Sequence, residues 1–302
     1  MLLSVVIPVF NRAAELERCL LSLASLVGRG DAEVIVVDDG SRLGERQRIG
    51  EIVAKHGVHL LQREHKGVSA ARNAGACSAT GRFLWFVDAD DEANMASLDS
   101  LVKALSSLPD ECQIFITSLP GQPIRQLSKN PIRTQFPAFT NHTLCFISRH
   151  WLMQHPELFY PEDMSVLEDT IFILRLLAAA HEVAEDSHIH PYRINRSVVS
   201  VTSGAWSDER SHRFIADICR FFDFLKEFSI LNSQFSILNL KRCYRFVYLR
   251  TLAVKGCPWS DIKKLRATVD CTKPYIPFER LLFFAPFHRT LAFVCRTIRK
   301  RR

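Results

Sequence analysis

The strongest constraint on this chain is an alternation running through its first 120 residues: short, continuously apolar stretches separated by longer segments of helical periodicity. Residues 4–10 are a β-branched run, after which Asn11 offers an N-cap and 13–26 carry Leu16, Leu20 and Leu23 at helical spacing. A Val/Ile run over 33–38 stops at Asp38-Asp-Gly-Ser41. The pattern then predicts a helix over 46–56, a strand over 58–63, a helix over 68–79 and a strand over 82–87 that ends at Asp88-Ala-Asp-Asp91. A helix near 97–108 and a strand near 112–117 follow. Strands that are apolar throughout are buried on both faces, which means a mostly parallel α/β sheet with helices on both faces. Ligands of such sheets sit beyond the strand carboxyl ends. Both acidic clusters lie there, so topology brings them to one crevice.

The rest of the chain is less regular. Residues 119–143 hold Pro120, Pro123, Pro131 and Pro137 and read as an irregular stretch crossing the site. A helix is expected over 167–180, with Glu168 and Asp169 in its first turn, then an extended segment over 188–201. From Trp206 onward the chain reads as helical, with Phe214, Phe221, Phe222, Phe224 and Phe228 as packing surface.

Four segments carry chemistry. At Asp38-Asp-Gly-Ser41, carboxylates at a strand end suit a nucleobase edge or ribose hydroxyls, although an Asp capping a helix would look the same. At Asp88-Ala-Asp-Asp91, alternate residues of an extended segment point the same way, so Asp88 and Asp90 can converge on one hard cation, Mg2+ or Mn2+; a solvated acidic loop is the alternative. Small residues through Lys66–Gly75 let a helix start approach a ligand, with Arg72 meeting a diphosphate or base, or else snorkelling from a packed helix. Glu168 and Asp169 fit either a dipole-favourable cap or a general base for an acceptor hydroxyl, and spacing does not decide between them.

In this order and spacing the segments resemble the family-2 glycosyltransferases of the GT-A fold, of the bacterial surface polysaccharide and lipopolysaccharide type. The resemblance rests on Ser4-Val-Val-Ile-Pro-Val-Phe-Asn11, Asp38-Asp-Gly-Ser41, Gly67-Val-Ser-Ala-Ala-Arg-Asn-Ala-Gly75, Asp88-Ala-Asp-Asp91, Glu168-Asp169 and Tyr192-Arg-Ile-Asn-Arg-Ser-Val-Val-Ser200, about residues 2–204. It implies a Rossmann-like catalytic domain over 1–204, with a nucleotide-binding part (1–118) and an acceptor part (119–204), followed by a helical, basic region (205–302). It further implies an inverting transfer from a nucleotide-diphosphate sugar, UDP by resemblance only, to a glycan or lipid-linked acceptor. Asp169 would be the base, and Asp90 with Asp88 or Asp91 would hold Mn2+ or Mg2+. Asp39 would face the nucleobase, Arg193 and Arg196 would clamp the diphosphate, and Pro8, Phe10, Asn11, Asp38, Arg72, Asp88 and Ala89 would line the donor site. One departure is that many relatives have Pro shortly after the metal motif, where Asn94 and Met95 stand here.

Other classes fit less well. A glycosidase needs no nucleotide-binding sheet. A nicotinamide oxidoreductase would show GxGxxG where Pro8-Val-Phe-Asn11 stands. A catalytically silent scaffold of the same fold is the remaining alternative, against which the intact Asp88, Asp90 and Asp169 speak.

The nine cysteines form no CxxC pair and read as core thiols of a reducing compartment, without a disulfide or zinc site. The apolar start lacks a basic n-region, and no window approaches a bilayer span, so a cytoplasmic location is expected. Charge is uneven: residues 241–302 hold 16 Lys and Arg against three Asp and Glu, whereas the first 240 hold 23 against 29. With the aromatic segments before it, this tail suggests an anionic membrane surface, on the inner face of the bacterial cytoplasmic membrane, or else a helical subdomain with a soluble basic end, and not nucleic acid.

Overall fold

The computed structural model describes residues 1–120, 141–195 and 208–231. Most of the proline-rich stretch, Arg196 and the basic tail lie outside them. The chain divides into two compact units, Met1–Ser203 and Gly204–Arg302.

In the first unit the elements run β1 (Leu3–Val9), α1 (Ala13–Ser22), β2 (Ala32–Asp38), α2 (Leu43–His56), β3 (His59–Gln62), α3 (Val68–Ser78), β4 (Phe83–Phe86), β5 (Glu92–Ala93), α4 (Met95–Ser107) and β6 (Ile114–Ile116). A 3-10 turn, His142–Leu144, leads into β7 (Cys145–Ser148) and α5 (Arg149–Gln154). After a second such turn, Pro156–Leu158, come α6 (Glu168–Ala179), β8 (Val183–Glu185) and β9 (Tyr192–Arg193). Seven strands form one sheet in the order β3-β2-β1-β4-β7-β6-β8, and β5 pairs with β9 in a separate ribbon. Only β7 runs against its neighbours. The sheet is therefore mostly parallel, as the unbroken apolar runs imply.

Every residue of β1 is buried. Leu3, Val5, Ile7 and Val9 join Val34, Val36, Phe83 and Trp85 in one core with Leu16 and Leu20 of α1, Ile49 and Ile52 of α2, and Leu98 and Leu101 of α4. On the opposite face α3 comes so close that a Cβ on Gly75 would lie 2.3 Å from Val6 Cγ1 and 3.1 Å from Val37 Cγ2. Phe86 of β4 meets Tyr160 and Phe172 of α6 edge-on. Period-2 strands between two helical layers account for both apolar faces.

Three local expectations are corrected. Helix α1 ends at Ser22, after which Leu23 and Leu26 stay buried in i→i+3 turns and not in a continued helix. Asn11 is not its N-cap; Arg12 is, and the Ala13 N–H is satisfied by Glu45 Oε2 of α2 at 2.9 Å. Strand β7, preceded by residues without clear periodicity, was not expected at all.

In the second unit α7 (Asp208–Leu231) buries Phe214, Ile218, Phe221 and Leu225, one face at helical spacing. No helix among the described residues is long and apolar enough to cross a membrane.

Candidate active site

From β1 the sheet grows through β2 and β3 to one side and through β4 to the other. That reversal opens a crevice at the carboxyl ends of β1 and β4. The turns after β1 and β2 are stitched together there. Asp39 N donates to Val9 O, Asn11 N donates to Ser41 Oγ at 2.9 Å, and Asn11 Oδ1 accepts from Arg42 N at 2.8 Å. Asn11 takes a left-handed φ of 54°, which Asn tolerates better than most residues. Pro8 lies within β1 opposite Val37. Gly40 has φ 77°, and a Cβ there would stand 2.5 Å from the His65 backbone nitrogen, so this turn requires glycine.

Asp38 and Asp39 are both buried. Asp38 accepts from Ser41 N at 3.0 Å and pairs with Arg46 Nε at 3.3 Å, holding the turn from inside; it does not cap α2, whose N-cap is Arg42. Asp39 accepts from Lys66 N at 3.1 Å and Gly67 N at 2.8 Å, and has His65 Nδ1 2.8 Å away. The His65 ring stacks on half-exposed Phe10 with centroids 4.1 Å apart. The result is an aromatic platform beside a buried carboxylate.

The acidic loop after β4 is bound to the opposite wall through Arg72. This guanidinium is buried and not snorkelling: Nη2 donates to Asp88 Oδ1 at 2.8 Å, Nη1 donates to Glu168 Oε1 at 3.1 Å, and the charge lies 5.0 Å from the centre of the Tyr160 ring. Burial opposes ionisation of Asp88, but Arg72 and then His142 outweigh it and hold the carboxyl well below the usual range. Glu168 is pushed up by burial despite Arg72. Asp90 is raised by burial and by the charge of Asp88, against the pull of Arg12, whose Nη1 lies 2.8 Å from Asp90 Oδ2. Asp91 is pushed up to about 6, mainly by burial. Its Oδ2 accepts from Tyr192 OH and its Oδ1 from Asn195 N at 2.7 Å. Ala89 is buried between Asp88 and Asp90.

Asp169 is the second residue of α6. Its Oδ1 accepts from Thr170 N at 2.7 Å, and its Oδ2 faces His142 Nδ1 at 4.0 Å. The same ring presents Nε2 to Asp88 at 3.7 Å. Both separations are too long for hydrogen bonds, so His142 lies poised between the two carboxylates. Arg193 is exposed on β9, 4.0 Å from Glu92. Sequence reasoning missed Arg12, His65, His142 and Tyr160. Arg12 could have been found, since it stands three residues past the β1 carboxyl end, but nothing in the spacing marks His142.

Does this loop suit Mn2+ or Mg2+? Asp88 and Asp90 are partly exposed carboxylates, the second raised by burial and by the charge of the first, and hard oxygen donors of this kind suit such a cation. Among the described residues no three His, Cys, Asp or Glu side chains form a closed cage. Mg2+ in general is held by one or two carboxylates and takes its other ligands from phosphate and water. The residues present fit such an ion.

The fold recurs in solved structures. TarS of Staphylococcus aureus (residues 1–349), in complex with UDP-GlcNAc, superposes with a TM-score of 0.56 at 20% identity, covering 90% of this chain and 89% of that one. The mannosyltransferase PcManGT of Pyrobaculum calidifontis, in complex with GDP-Man and Mn2+, gives 0.56 at 15% identity, with coverage of 96% and 83%. Such low identity speaks for a shared fold. Among curated proteins the chain is 29% identical over 216 residues to the glycosyltransferase EpsJ of Bacillus subtilis, spanning 64% of this chain and 61% of that protein. It is also 39% identical over 101 residues to the pre-mycofactocin glycosyltransferase of Mycobacterium tuberculosis, 33% of this chain and 20% of that one. The match thus spans less than two thirds of either relative. The model of glycosyl transferase family 2 matches residues 4–159, from β1 through the antiparallel strand to the turn before Tyr160. With that match over half of its length, on a GT-A fold, the chain belongs to glycosyl transferase family 2.

Proposed function

We propose that the chain is an inverting glycosyltransferase that moves a sugar from a nucleotide-diphosphate donor, a UDP-sugar, to a hydroxyl of a glycan or lipid-linked acceptor in surface polysaccharide or lipopolysaccharide synthesis. One observation carries this reading: Arg72 bonds both Asp88 of the acidic loop after β4 and Glu168 at the start of α6, and His142 lies between Asp88 and Asp169, so these carboxylates belong to one cluster.

In this reading Phe10 and His65 receive the base, with Asp39 fixing the turn behind them. Asp90 and Asp88 would hold Mn2+ or Mg2+, which when bound would neutralise charge on the departing diphosphate. Asp169 takes the proton from the acceptor hydroxyl as its oxygen attacks the anomeric carbon, and the nucleoside diphosphate leaves from the opposite face. Arg193 and Arg196 serve the diphosphate as planar cations.

Isothermal titration with UDP tests the donor site. Binding in Mn2+ is expected to be at least tenfold tighter than in chelator, a difference lost in Asp90→Ala. Absence of UDP binding in both conditions would move the assignment to another nucleotide, or to a silent scaffold if GDP and others also fail.

The basic tail supports a location on the inner face of the cytoplasmic membrane, as a peripheral enzyme meeting lipid-linked acceptors. Co-sedimentation with phosphatidylglycerol vesicles is expected, and it should fall several-fold on deletion of 281–302 or in 0.5 M salt, roughly three times the ionic strength at which screening reaches about 8 Å. Binding that survives the deletion would refute the role of the tail.

A further inference from the structure

The loop that carries Asp88 and Asp90 is held to a second segment of the chain in an unusually complete way. Strand β5 pairs antiparallel with β9, setting Glu92 opposite Arg193 and Ala93 opposite Tyr192. Asn94 N donates to Pro191 O at 2.7 Å and Asn94 Nδ2 to His190 O at 2.9 Å. Within this junction Asp91 uses one oxygen for Tyr192 OH and the other for Asn195 N. Tyr192 is itself fixed, with its ring buried in the core. On the other side, Ala93 N donates to Ser22 Oγ of α1 at 2.8 Å.

We propose that Asp91 is a positioning residue and not a metal ligand: with Tyr192 and Asn195 it forms a latch that sets the loop carrying Asp88 and Asp90 at the geometry the cation requires. The latch rests on the donor-site reading, since its task is to serve that cation. A carboxylate bonded at both oxygens by fixed donors holds its own backbone still, and Asp90 is the preceding residue. The chain thereby also ties the segment that follows α6, the helix of Asp169, to the metal loop. Asn94 fits the same scheme. An asparagine there adds two bonds to the 190–191 backbone that a proline, lacking N–H and amide, would not make.

The test compares Asp91→Ala, which removes both acceptor oxygens, Tyr192→Phe and their double variant, using UDP with and without Mn2+ as the probe and amide exchange at Asn195 as a nucleotide-free readout. Tyr192→Phe keeps the buried ring and removes only the hydroxyl, so the fold is preserved. Each single variant is expected to weaken Mn2+-dependent UDP binding by about tenfold, the order of one hydrogen bond to a charged group. UDP affinity in chelator should stay unchanged, and the double variant should be no worse than the worse single one, as one shared bond requires. Asn195 exchange should quicken in Asp91→Ala.

Loss of the whole Mn2+ response in Asp91→Ala with Tyr192→Phe silent would overturn the proposal and place Asp91 on the metal. Unchanged binding in all three variants would overturn it as well. Should the wild-type protein show no Mn2+-dependent nucleotide binding, the donor reading fails and the latch loses its task, while Asn195 protection still tells whether the bond forms. The two failures are therefore distinct.

Discussion

An Arg72→Met protein is expected to unfold at markedly lower urea, having lost about 3 kcal/mol at pH 7. Among the described residues Arg72 is the cation that faces both Asp88 and Glu168, and its side chain is 5% exposed, against 11% for the Glu168 side chain and 32% for Asp88. Removing one partner of a buried ionic group leaves the others uncompensated, at a typical cost of 3–5 kcal/mol; a third of Asp88 reaches solvent, which favours the lower end, about 3 kcal/mol. Methionine keeps most of the volume, so the loss is electrostatic and not a cavity.

The pH dependence has a definite sign. In the wild type the Asp88 carboxyl is held below its ordinary value, so its contribution is present above the unfolded pKa and disappears as pH falls through the folded one. Without Arg72 both carboxyls would titrate higher, and protonation would relieve them. The difference between variant and wild type should therefore be largest near neutrality and shrink as pH drops toward 4. Adding Glu168→Gln to Arg72→Met should recover part of the loss. A difference under 0.5 kcal/mol, the usual scatter for surface changes, or one that does not change with pH, would show that the cluster is not held by charge.

That cluster also marks where the sequence stopped being readable. The parallel half of the sheet was legible because β4 is apolar throughout and β1 and β2 nearly so, broken only by Ser4, Glu33 and the terminal Asp38, and the acidic turns at their ends followed from topology. Strand β7 was not legible: it is four residues long, antiparallel, and enters the sheet after the proline-rich stretch, with no periodicity of its own to announce it. The partner of Arg72 could not be read either. Spacing put Arg72 on a small-residue helix but not against Asp88 and Glu168, 16 and 96 residues away, because only tertiary packing turns α3 toward α6. Asp91 shows the same limit. Beside Asp88 and Asp90 it reads as a third acidic ligand, yet its two oxygens are satisfied from 101 and 104 residues downstream.

The second large effect concerns the proton. Asp169→Asn is expected to reduce turnover by about 10²–10⁴, the range attributed to a positioned general base, while leaving Mn2+-dependent UDP binding within a factor of about two. The substitution preserves the acceptor oxygen that takes the Thr170 N–H, so the first turn of α6 keeps its geometry and only the capacity to accept a proton is lost. Asp169 suits this task better than its neighbour. Its side chain is 37% exposed with Oδ2 turned into the cluster toward His142, whereas Glu168 is buried and committed to Arg72. A Glu168→Gln variant should therefore fail differently, losing stability along with rate. UDP release from a UDP-sugar, with water standing in for the acceptor, supplies the rate without knowledge of the acceptor. If Asp169→Asn kept more than a tenth of the wild-type rate while binding UDP normally, the proton would have to go elsewhere. His142, equidistant to within 0.3 Å between Asp88 and Asp169, would then be the group to examine.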